Sequence, residues 1–68
     1  MKEFKLQTDY IELIKLLKLL RLVESGGQAK TVVEEGLVSL NGKTEFRKRA
    51  KLKRGDKVQF ESNIILIK

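Results

Sequence analysis

Sixty-eight residues, 41% of them apolar, suffice for one domain with a modest core, since a chain this short buries only roughly 60% of its unfolded surface. The absence of cysteine and histidine excludes disulfides and thiolate metal sites, and removes the usual general base and the commonest zinc ligand. Fifteen Lys and Arg against nine Asp and Glu leave a net charge of +6, which points to a polyanionic partner.

In chain order, the N-terminal MKEFKLQTD lacks the apolar region of a signal peptide. The apolar-rich stretch 10–23 is broken by Glu12, Lys15, Lys18 and Arg21, so a soluble, cytoplasmic protein is expected. Without proline, a Gly/Ser-rich linker or an internal repeat, residues 1–68 read as a single domain. Phe4 and Leu6 alternate with polar residues as a weak strand. Asp9 with Glu12 fits a capping box, and predicts that helix one starts there. Leu13, Leu16, Leu17 and Leu20 share a face, with Ile14 beside them, whereas Ile11 and Leu19 fall among polar positions. That pattern favours a helix buried by sheet and by a second helix over one lying on a membrane.

Ser25 and Gln28 form a second capping-box pair, predicting a helix from Gly26 to Glu35 with a left-handed stop at Gly36. Beyond it the period changes to two. Leu37 to Leu40, Asn41-Gly42 and Lys43 to Phe46 make a hairpin on a type I′ turn. Arg54-Gly55-Asp56-Lys57 turns into Val58 to Phe60, and Ser62-Asn63 into a last, central strand over Ile64 to Ile67. The predicted order is β-α-α-β-β-β-β, an α+β domain with two helices packed on a small antiparallel sheet of about four to five strands.

Catalysis has little to draw on: no triad can form without histidine or cysteine, Glu34 and Glu35 point about 100° apart on a helix, and no phosphate-loop or dinucleotide fingerprint is present. No enzyme activity, cofactor, metal or small-molecule substrate is expected. The charge is concentrated. Residues 1–42 and 58–68 are each balanced, and the whole excess falls in 43–57, where Lys43, Arg47, Lys48, Arg49, Lys51, Lys53, Arg54 and Lys57 face only Glu45 and Asp56. This segment reads as an exposed edge strand plus loop. The guanidiniums of Arg47, Arg49 and Arg54 suit bidentate phosphate contacts, and Lys48, Lys51 and Lys53 act as point charges. The plainer reading is a solvated loop. A second surface is the start of helix two, where Ser25, Gly26 and Gly27 offer backbone amides with Lys30 one turn on; its plainer reading is a tight bend between helices. The outward residues of helix two include Glu34 and Glu35, against duplex-DNA readout. Phe4, Tyr10, Phe46 and Phe60 look like core, against base stacking, which leaves structured RNA read through shape and phosphates.

The stretch Ser25 to Phe60, with S-G-G-Q-A-K, the Gly36 stop, the L-N-G turn at Leu40 to Gly42 and the G-D-K-V turn at Gly55 to Val58, resembles the RNA-binding domain named after small-subunit ribosomal protein S4. The resemblance spans about residues 11–60. With the Arg47-Lys48-Arg49 cluster it extends to the free-standing bacterial YbcJ/YaaA-like group. It implies the αL fold, with RNA contacted across the start of helix two and the adjoining loop and strands, and it adds Lys18, Gln28 and Asn41 to the candidates. Gly26 stands where many members carry Arg, so the Gly26 and Gly27 amides with Lys18 and Lys30 are expected to take that place.

The expectation is a non-catalytic protein that binds structured RNA, ribosomal or tRNA-like, on the ribosome or an assembling subunit, through Lys18, Ser25, Gly26, Gly27, Gln28, Lys30, Asn41, Lys43, Arg47, Lys48, Arg49, Lys51, Lys53 and Arg54. The alternatives are a protein-interaction module using the Leu-rich first helix, and attachment of residues 47–54 to anionic membranes, with no membrane contact preferred.

Overall fold

The computed structural model describes all of residues 1–68. The elements are β1 (Lys2–Phe4), β2 (Ile11–Glu12), α1 (Leu13–Leu19), α2 (Gly26–Glu34), β3 (Val38–Leu40), β4 (Lys43–Thr44), β5 (Lys51–Leu52), β6 (Lys57–Phe60) and β7 (Asn63–Ile67). They form a five-stranded sheet in the order β1-β7-β6-β3-β4 and a separate two-stranded sheet, β2-β5. Strand β7 is an interior strand, paired on both sides by β1 and β6, in keeping with its unbroken apolar run. The sheet is mixed where an antiparallel one was expected. Lys2, Glu3 and Phe4 pair in parallel with Ile65, Leu66 and Ile67, and the Leu6 amide donates to the Lys68 carbonyl at 2.7 Å while Lys68 donates to Phe4 at 2.8 Å.

The sixteen buried residues are all apolar. Leu13, Leu16 and Leu17 from α1 and Ala29, Val32 and Val33 from α2 meet Val38, Val58, Phe60, Ile65 and Ile67 from the large sheet, and Leu52 closes the side formed by the small one. Strand β6 shows the alternation: Val58 and Phe60 point inward, Lys57 and Gln59 outward. Each fully buried side chain of this size contributes roughly 1.5–3 kcal/mol.

Helix α1 starts later than its capping box predicts. Glu12 occupies the cap position with extended dihedrals and makes no side-chain cap bond. Ile11 and Glu12 are instead taken by strand pairing with Leu52 and Lys51. The first free amides of the helix are satisfied by the basic segment, Leu13 donating to the Ala50 carbonyl at 2.9 Å and Ile14 to the Lys48 carbonyl at 3.2 Å. At its other end the Leu22 amide reaches the Leu17 carbonyl and Arg21 reaches Lys18, a Schellman closure with Arg21 in the left-handed region at φ 57°.

Helix α2 follows expectation. Ser25 Oγ accepts from the Gln28 amide at 3.1 Å; the Gln28 side chain accepts from the Glu24 amide at 2.7 Å, one residue before the usual capping-box donor. Its Schellman closure, Leu37 to Val32 and Gly36 to Val33, uses Gly36 at φ 76°. Asn41 and Gly42 both have positive φ, 52° and 85°, as a type I′ turn requires.

Candidate nucleic-acid interface

The basic segment is positioned by its main chain. Between the hairpin and β5 it crosses the start of α1, where the Lys48 and Ala50 carbonyls accept the helix amides, and then it pairs as β5 with β2. Ala50 is 3% exposed and Leu52 fully buried, so these two apolar side chains pin the loop while the alternating cations Arg49, Lys51 and Lys53 turn outward. Arg47, Arg49, Lys51 and Lys53 line one open depression of about 500 Å³ with Ala50 and no acidic residue.

Those four cations differ in how free they are. Arg47 is held by Glu45: Nε lies 3.0 Å from Oε2 and Nη2 3.0 Å from Oε1, and the Arg47 amide donates to Oε2 at 2.9 Å. The guanidinium hydrogen bond, chiefly, holds the Glu45 carboxyl below its usual 4.5 against the opposing effect of burial, and raises the Arg47 pKa in turn. The fork expected to grip phosphate is thus spent within the chain. Arg49, Lys51 and Lys53 make no salt bridge and no side-chain hydrogen bond; Lys51 Nζ sits 4.9 Å from the Tyr10 ring centroid, a cation–π distance. Lys48 makes only a long pair, 3.9 Å from Glu34.

The remaining candidates are dispersed. Arg54 Nη2 donates to the Leu6 carbonyl at 3.3 Å, and Arg54 lies with Lys5, Lys68 and Glu3 beside the paired chain ends. Asn41 has structural work: its Nδ2 donates to Asp56 at 3.0 Å, its Oδ1 accepts from the Lys57 amide at 2.9 Å, and Asp56 also accepts from the Lys53 amide at 2.8 Å. This clamp joins the two turns, so Asn41 has little left to offer a ligand. Lys43 is exposed on the edge strand β4.

Lys18, Ser25, Gly26, Gly27, Gln28 and Lys30 occupy the end of the helix pair where α1 runs into α2. Lys48 sits at the opposite end, against Glu34, and nine residues of α2 span roughly 13 Å. The two predicted surfaces are therefore separate. Ser25 Oγ and Gln28 Oε1 are consumed by capping. The glycines are not explained by packing: a Cβ on Gly26 would meet nothing within 4 Å, one on Gly27 only Ser25 Oγ at 3.8 Å, and neither has positive φ. The tight-bend reading of this pair fails on both counts.

Sequence reasoning also missed surface residues. Phe46 is 62% and Tyr10 40% exposed, although both were assigned to the core; only Phe60 is buried, with Phe4 partly so. Arg21 is exposed beside the start of α2. No signal in the sequence marks Arg21. Phe46 lies three residues from outward Lys43, the opposite phase of an extended chain, and is exposed because pairing in β4 stops at Thr44, an end point that a sequence alone leaves open.

Comparison with known proteins agrees with this architecture. The solution structure of YbcJ from Escherichia coli, described as revealing an αL motif involved in RNA binding, matches at a TM-score of 0.73 with 40% identity, over 98% of this chain and 86% of that one. The putative RNA-binding protein YbcJ of Escherichia coli (strain K12) is 41% identical over 58 residues, which is 85% of this chain and 83% of that protein. The uncharacterized YbcJ of Shigella flexneri matches to the same extent. The two helices on a mixed sheet, with the small β2-β5 sheet beside them, are the αL arrangement. A family model of the S4 domain matches residues 4–68, and the chain belongs to that family.

Proposed function

We propose that this protein binds structured RNA without catalysing a reaction on it, ribosomal RNA or an assembling ribosomal subunit in the cytoplasm being the preferred target and tRNA-like RNA the nearest variant. The observation that carries the reading is the depression lined by Arg49, Lys51 and Lys53, whose charges no internal acid neutralises. Cations held ready in this way release counterions from a phosphate backbone on binding. The RNA-binding character of YbcJ and the αL motif described in its structure support the same reading. The start of α2 is the second contact. Glycine in a helix costs about 0.5–1 kcal/mol relative to alanine, and Gly26 and Gly27 incur that cost in open space, which suits close approach of an RNA backbone to their amides. The rival interaction surface on α1 is small, because Leu13, Leu16 and Leu17 are buried and Leu19 alone among its leucines is exposed, at 57%.

Filter binding or electrophoretic shift on ribosomal RNA fragments over a salt series tests the proposal. Engagement of about five phosphates gives a log–log slope near −4. A flat salt response, or no binding at low salt, refutes it.

A further inference from the structure

Two exposed aromatic rings flank the basic segment, Phe46 next to it in the chain and Tyr10 through Lys51, and the phosphate reading does not use them. Phe46 immediately precedes Arg47 and is 62% exposed. One side of its ring is seated on Gly36, where a Cβ would lie 3.2 Å from Cε1 and 3.4 Å from Cζ. Gly36 therefore supplies both the left-handed helix stop and the seat of the ring. Tyr10, 40% exposed, carries Lys51 Nζ 4.9 Å from its centroid. The same ring lines a second open depression, about 580 Å³, together with Phe4, Leu6, Ile11 and Leu19.

We propose that the RNA taken by this surface carries unpaired nucleotides, whose bases stack on Phe46 and Tyr10 while their phosphates lie along Arg49, Lys51 and Lys53. This rests on the RNA-binding reading above and narrows its substrate to loops, bulges or single-stranded junctions. The chemistry is that of a stacking platform with an adjacent cation. A base offers a π-face whatever its identity, stacking on an aromatic ring removes apolar surface from water, and a neighbouring ammonium or guanidinium meets the phosphate of the same nucleotide. The bases of a continuous duplex are stacked on one another and present no free face. A buried ring cannot do this; an exposed ring held from one side is arranged for it, and Tyr10 has the unpaired Lys51 ammonium beside it.

The test compares an RNA stem capped by an adenine-rich loop with the same stem as a fully paired duplex, against the full chain and its variants. The looped RNA binds about 10-fold more tightly than the duplex. Phe46→Ala and Tyr10→Ala each remove most of that preference and leave duplex binding unchanged, whereas Tyr10→Phe retains it. Since the chain has no tryptophan, a Phe46→Trp variant gives a lone indole whose fluorescence is quenched by the looped RNA and not by the duplex. Equal binding of both RNAs with an unquenched indole overturns the stacking proposal and leaves RNA binding standing. Failure to bind either RNA overturns both.

Discussion

The middle of the basic segment and its two flanks are built in opposite ways. On the flanks, polar side chains bond within the chain: Asn41 and Asp56 clamp the two turns, Glu45 grips Arg47, and Arg54 reaches the Leu6 carbonyl. Across residues 48–53 the main chain holds the fold, through the Lys48 and Ala50 carbonyls and the β2-β5 pairing. There the side chains of Arg49, Lys51 and Lys53 are left without an acidic partner. The difference teaches that net charge is not available charge. Eight basic residues lie in 43–57, yet the three that combine freedom with a shared depression sit in its middle.

The sharpest way to break this contrast is to remove the free cations. Replacing Arg49, Lys51 and Lys53 together with Ala lowers RNA affinity about 100-fold or more near physiological salt and flattens the salt slope by about 3, while the thermal midpoint, followed by circular dichroism, stays within a few degrees. The clamped flanks give the reverse pattern. Asp56→Ala removes the acceptor for both the Lys53 amide and Asn41 Nδ2, costs about 1–2 kcal/mol and lowers the midpoint by roughly 5–15 °C, with affinity of the folded fraction unchanged. An affinity loss at Asp56 matching that of the triple variant would erase the distinction.

Smaller effects sharpen it. Gly26→Ala and Gly27→Ala each stabilise the protein by about 0.5–1 kcal/mol in chemical denaturation, because the space around them is open, and each weakens RNA binding severalfold. Stabilisation without weaker binding removes α2 from the interface. The smallest change comes from moving a residue between the two classes. Glu45→Gln frees Arg47, raises affinity about 2- to 5-fold and steepens the salt slope by about 1. Acid does the same without mutation. The Glu45 carboxyl is held below its usual 4.5, so the pair's contribution is intact above that value and is lost only as pH falls through the lowered one. Carboxyl chemical shifts of Glu45 followed through an acid titration check the direction; a midpoint above 4.5 contradicts it.

Much of the second half of the fold is legible in the sequence because its signals are short and local. Ser25 caps its own helix, Gly36 ends it, and Asn41-Gly42 and Gly55 set turns by their dihedrals. Features set by distant partners are not legible. Ile11 and Glu12 suit a helix start until Lys51 and Leu52 claim them for a strand, and the parallel pairing of β1 with β7 joins segments some sixty residues apart. At the site, the position of the basic segment was readable and the freedom of its members was not. Glu45 and Arg47 offered a usable signal, since positions two apart in an extended chain face the same side. Phe46 and Tyr10 are misread because aromatic residues near apolar ones look like core until the register is known.

The carbonyls of Lys48 and Ala50 that complete α1 carry one last consequence, for descent with modification. Every residue, proline included, supplies the same carbonyl, so the contact that fixes the loop does not depend on which side chains the loop displays. Substitutions at 49, 51 and 53 can exchange one set of contacts for another at little cost to folding, and a lineage can change which nucleic-acid target it prefers on an unaltered scaffold. The buried neighbours Ala50 and Leu52 do not share that licence, which predicts alternating tolerance along five consecutive residues in any library selected for retained fold.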